Sequence, residues 1–165
     1  MSATKILLAA SCGACLLFFA GCAPSPLKGI EPRYHSVVEK LYKMPWDERK
    51  TALESSDLET QYAWCLYMTH KSHPIPAHYA RALAEHGKKI IPLLCEKISS
   101  TDDYGTVKLI VTVFYSMFMD GYYYQVIENE EVMRLLADSV QRANIQSNDI
   151  PAMMLRQMQL GPSRM

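Results

Sequence analysis

The fold class predicted by this sequence is all-α: a compact array of six to eight short antiparallel helices. Three observations predict it. Apolar residues recur at three- and four-residue intervals along most of the chain. Helix-starting Pro, Ser and Asn residues and a helix-stopping Gly punctuate those runs at the expected places. Outside one β-branched segment, no stretch alternates apolar and polar residues as a half-buried strand would. Hydrophobic residues make up 49% of the 165-residue chain, enough for a core in a chain of single-domain size. Acidic and basic side chains balance at 17 each. That neutrality, with no Lys/Arg stripe, gives no basis for nucleic-acid binding.

Residues 1–21 differ from the rest. Lys5 supplies a short positive start, Ile6 to Ala20 form an uncharged apolar run, and the small pair Ala20-Gly21 precedes Cys22. This is the three-part anatomy of a secretory signal peptide. The apolar run is shorter than the ~20 residues a spanning helix needs, which disfavours a transmembrane anchor. Ala23 to Pro32 then carries three prolines and one glycine with no periodicity, and reads as a tether.

The four residues Phe19-Ala20-Gly21-Cys22 resemble the lipobox of bacterial lipoproteins, with Phe19 departing from the aliphatic residue usual at that place. The resemblance implies cleavage before Cys22, a diacylglycerol on its sulfur and an acyl chain on the new amino terminus. Ala23 stands where an Asp tends to retain such proteins in the inner membrane, so the expected address is the outer membrane, facing the periplasm. One acyl chain holds only marginally, whereas two or three hold effectively permanently. The chain would then be anchored to the membrane through Cys22 without spanning it. The implied organisation is a signal peptide over 1–21, a lipidated tether over 22–33, a helical domain over 34–160 and a loose end over 161–165.

Within the domain, "YHSVVEKLYK" places Val37, Val38, Leu41 and Tyr42 on one helical face. "PWDERKTALE" opens with Pro45 and acidic residues, as a helix start does. Ser56 and Glu59 have capping-box spacing before "LETQYAWCLYMTH", whose face is Leu58, Tyr62, Cys65 or Leu66, and Thr69. "HKSHPIP" interrupts with two prolines. Pro76 starts the next helix, which Gly87 can end in a left-handed conformation. In "KKIIPLLCEKISS", Pro92 is tolerable only near a helix start. "TVKLIVTVFYSMFMDG" is apolar on nearly every side and therefore central. Its β-branched residues allow a strand, but its length and helical surroundings favour helix. Asn129 caps "EEVMRLLADSVQRA", with the face Val132, Leu135, Leu136, Val140 and Ala143, and one more short helix lies in "SNDIPAMMLRQMQL". Ala82 to Asp103 resembles one HEAT-like helical-repeat unit, a Gly ending one helix and a Pro sitting early in the next. No second copy recurs at a fixed spacing.

Few residues invite a chemical reading. His70, His73 and His78 lie within nine residues, and His86 is two turns beyond His78. Imidazole is a good zinc, copper or nickel ligand, but helical metal pairs stand four apart, and His70 and His73 are three apart beside Pro74 and Pro76. A polar loop that contains histidines is the plainer reading, so no metal site and no cofactor are expected. Tyr122, Tyr123 and Tyr124 cannot all face one way on a helix. Rigid aromatic area with a polar tip suits a protein contact, while packing at the end of the core helix is the ordinary alternative. Glu128 to Glu131 fit an acidic first turn. Cys65 and Cys95 are left to pair or remain free in an oxidising compartment; "CGAC" at Cys12 to Cys15 lies in the segment to be removed. No nucleophile elbow, phosphate loop or zinc-protease pair is present, so an enzyme is not expected. The expected function is a lipid-anchored envelope protein that binds another protein as adaptor or scaffold, or in a narrower form as an immunity or inhibitor protein. A metal- or small-ligand-binding protein using the His70–His86 region is the alternative.

Overall fold

In the computed structural model, which describes residues 25–72, 77–121 and 128–161, the chain is all-helical, and the described residues contain no strand. The helices are α1 (Pro32–Lys43), α2 (Trp46–Glu54), α3 (Leu58–Lys71), α4 (Ala77–Ala84), α5 (Ile91–Ser99), α6 (Tyr104–Met119), α7 (Glu130–Arg142) and α8 (Ile150–Leu160). A 3₁₀ turn over Gly87–Lys89 joins α4 to α5. The signal-peptide segment, Cys22, His73 and Tyr122 to Tyr124 lie outside the described residues.

The β-branched run forms α6, and the cause is visible at its start. Asp103 accepts a hydrogen bond from the Thr106 amide at 2.8 Å, fixing the first helical turn. From there α6 buries residues on all sides, among them Val107, Leu109, Ile110, Val113 and Met117, and it packs against α3, α4, α5, α7 and α8. A helix apolar all round must be surrounded, and these five helices are arranged around it, with α1 attached through α3.

Most start and stop signals act as expected. Pro92 sits in the first turn of α5 and Asn129 caps α7 through the Glu131 and Val132 amides. Gly87 is left-handed at φ 58°, where it opens the 3₁₀ turn. Two details differ. The cap of α3 is Asp57, which accepts from the Thr60 amide at 2.6 Å; the Ser56 hydroxyl instead donates back to the Leu53 carbonyl. The inner face of α1 centres on Val38 and Leu41, leaving Val37 and Tyr42 exposed at 38% and 45%.

Contacts set the helix directions. α3 and α4 are antiparallel, since Cys65 neighbours Tyr79 and Gln61 meets His86. α1 and α3 run in the same sense, with Tyr34 bonded to Glu59 at one end and Tyr42 against Tyr67 at the other. α6 and α8 also run in one sense: Thr112 lies by Met154, and the Tyr115 hydroxyl bonds Gln157. Two arginines close helix ends by donating to terminal carbonyls: Arg49 to Met44 after α1, and Arg142 to Ile98 in α5.

The segment expected to be a free tether is packed from Leu27 onward. Ile30 is only 7% exposed and belongs to the core, and α1 starts at Pro32, two residues before the expected boundary. Residues 25–31 form a strap laid across α3 and the start of α6.

Candidate functional site

Two features separate from the general packing: a groove between α2, α3 and α4, and the socket that receives the strap. The groove has a volume of about 410 Å³. Trp46, Lys50 and Leu53 come from α2, Gln61, Trp64 and Cys65 from α3, and Tyr79 and Leu83 from α4. Both tryptophans of the chain therefore line it. Trp46 is 57% exposed, an unusual placement for the largest apolar side chain. Trp64 is buried, with the Arg49 guanidinium 5.2 Å from its ring centre, and its indole Nε1 has no hydrogen-bond partner among the described residues. A buried donor left unpaired costs roughly 1–3 kcal/mol. α2 itself buries no residue; of its hydrophobic side chains only Ala52 and Leu53 pack partly against the core, beside the Arg49 contact with Trp64. It stands as one wall of the groove.

The chemistry available in the groove is recognition. Its floor is aromatic and aliphatic, and Lys50, Glu54 and Glu85 provide charge at its edge. Burial pushes the Cys65 thiol up to about 12, so it stays protonated and unreactive. The Cys65 Sγ lies 3.6 Å from the Tyr79 carbonyl, and both Cys65 and Cys95 are free thiols.

The strap socket is built from charge and small residues. Lys28 Nζ lies 3.0 Å from Asp103 Oδ1. The Lys28 carbonyl accepts from His70 Nε2 at 3.0 Å, and the same ring nitrogen lies 3.6 Å from Asp103 Oδ2. Gly105 makes room for that ring, because a Cβ there would come within 2.2 Å of His70 Cε1. Gly29 adopts φ 74°, and a Cβ on it would meet the Thr106 hydroxyl at 2.6 Å. Further along, Lys97 pairs with Glu31. Asp103 itself is 6% exposed and also accepts from the Thr106 hydroxyl at 2.9 Å.

The histidines singled out by spacing are thus separated by task. His70 holds the strap, His86 donates to Gln61 Oε1 at 2.6 Å beside the groove, and His78 is exposed with its ring against Tyr79. Among the described residues, no three His, Cys, Asp or Glu side chains are grouped to hold a metal ion. Within the same residues, no helix is long and apolar enough to cross a membrane. Glu130 and Glu131 occupy the first turn of α7. No family model, curated protein or solved structure matches this chain.

Proposed function

We propose that this chain is a lipid-anchored protein of the bacterial envelope that works by binding another protein, as an adaptor or scaffold or, more narrowly, as an immunity or inhibitor protein. The observation that carries the binding role is the groove: an exposed Trp46 over a buried Trp64, walled by a helix that contributes nothing buried to the core. Tryptophan and tyrosine are enriched where protein interfaces concentrate their binding energy. The address rests on the lipobox-like Phe19-Ala20-Gly21-Cys22, and Ala23 favours the outer membrane. No reaction is assigned to the chain. Tyr122 to Tyr124 remain a second candidate contact surface in this reading.

A photo-crosslinking residue in place of Trp46 tests it in cells. The expected outcome is one discrete adduct, a single identified envelope protein, that is absent when the same residue replaces Met153 on α8. Equal, diffuse labelling from both positions would sink the groove as the contact surface. In the same strains, Cys22→Ser should move the protein out of the membrane fraction.

A second reading, a periplasmic small-ligand-binding protein, is favoured by one feature. The groove volume of about 410 Å³ lies within the usual range for small-molecule sites, and His78 and His86 line it beside the unpaired Trp64 indole. A metal in the His70–His86 region would have to compete with the hydrogen bonds His70 and His86 already make.

A further inference from the structure

We propose that the docked strap orients the anchored protein, holding the His70 side of α3 toward the lipid surface so that the Trp46–Trp64 groove opens toward the aqueous side. The inference rests on the reading of Cys22 as lipidated and adds a direction to it. It follows from a length and an angle.

The length is the number of residues between lipid and body. Lys28 is fixed twice, through its ammonium to Asp103 and through its carbonyl to His70, and Ile30 enters the packed interior two residues on. Six residue steps separate Cys22 from Lys28, so at about 3.6 Å per residue the lipid sits no more than ~22 Å from the backbone of Lys28 at the socket. A tether free as far as Pro32 would reach roughly 35 Å by the same measure, enough for a body of this size to tumble.

The angle separates strap from groove. On α3, the strap side is defined by Leu66 and His70, which meet Gly29 and Lys28, and by Tyr62 and Ala63 beside Ile30. The groove side is defined by Gln61, Trp64 and Cys65. At 100° per residue, the centres of these two sets stand roughly 160° apart around the helix. A single helix therefore lies between strap and groove. The strap side is also polar: Lys28, Lys97 and Ser100 stand among Glu31, Glu96, Asp102 and Asp103 around a depression of about 450 Å³. Such a surface rests against zwitterionic headgroups without inserting into the lipid.

Energy transfer from a surface dye to labelled lipid tests the orientation, using the full lipidated chain in phospholipid vesicles that carry a rhodamine-labelled lipid. In a Cys95→Ser background, where Cys65 is buried, Ser100→Cys reports the strap side and Glu85→Cys the groove side. Transfer from position 100 should exceed that from position 85 at least twofold. Inserting about twelve Gly/Ser residues between Ala23 and Pro24 lengthens the reach and should bring the ratio toward one. Equal or reversed transfer in the vesicle-bound chain overturns the orientation. A ratio unmoved by the linker overturns the strap as its cause. Vesicle flotation separates the premise: if Cys22→Ser floats as well as the unaltered chain, the lipid anchor itself is wrong and the orientation falls with it.

Discussion

Asp103 uses both carboxylate oxygens. Oδ2 accepts from the amide and hydroxyl of Thr106, and Oδ1 meets Lys28. Burial alone would push its acidity down and its pKa up. The Thr106 amide, Lys28, the Thr106 hydroxyl and His70 together outweigh that and hold the carboxyl below its usual value. The sign of the linkage follows. A group lowered on folding stabilises the fold above its unfolded pKa of about 3.9 and loses that contribution as pH falls through its lower folded value. Asp103→Asn keeps the shape and removes the charge. It should cost about 1.5–3 kcal/mol at pH 7, the range for hydrogen bonds to a charged group, and flatten the loss of stability below pH ~4. Urea unfolding at pH 7 and pH 3 measures both; an acid limb as steep as that of the unaltered chain would refute the assignment. In the sequence, Asp103 stands out only as the last residue of the HEAT-like stretch Ala82 to Asp103. Its partners Lys28 and His70 come from distant positions, and no local pattern encodes a pairing across such a separation.

At the scale of elements, α6 and α2 mark the limits of what periodicity reveals. The apolar composition of α6 on every side identified it as central, because such a surface has nowhere else to go. The existence of α2 was equally legible from Pro45 and its acidic first turn, but its role was not. Only Ala52 and Leu53 suit an inward face, and Trp46 at its start has no sequence neighbour that explains it. A large aromatic residue on an otherwise charged helix was the available signal of the groove. The misplaced α3 cap has a smaller cause: Ser56 and Asp57 are both good caps, and the bond from Ser56 to Leu53 decides between them. The two helices should also differ in stability. Amides of α2 should exchange with deuterated solvent through local opening, well before those of α6, which should require global unfolding. Correspondingly, Leu109→Ala in α6 should cost about 2–5 kcal/mol, and Leu53→Ala in α2 less than half of that; equal protection of the two helices would contradict the wall-like attachment of α2.

Over the whole molecule, the all-helical class and nearly every element were readable, whereas the joining of distant parts was not. Proline and the lack of periodicity make residues 23–32 look free, yet Ile30 is core and Lys28 is fixed, because Gly29 within the segment and Gly105 and the buried Asp103 elsewhere make space and charge for them. The sequence left the pairing of Cys65 and Cys95 open; in the fold both are free, one buried on α3 and one half-buried on α5. A reductant should therefore leave the melting temperature unchanged, and maleimide should modify Cys95 in the native protein but Cys65 only on unfolding. A reductant-dependent melting temperature would contradict this. The central position of α6 has a consequence in time. It is the sixth of the eight α-helices among the described residues, and α3 and α4 pack against it. A chain made from its amino terminus presents α3 roughly fifty residues before α6 is complete, a wait of several seconds at about 5–20 residues per second. Throughout that interval the first half of the protein is sticky and unfinished, so whatever carries the nascent chain must shield it until Met119 has emerged.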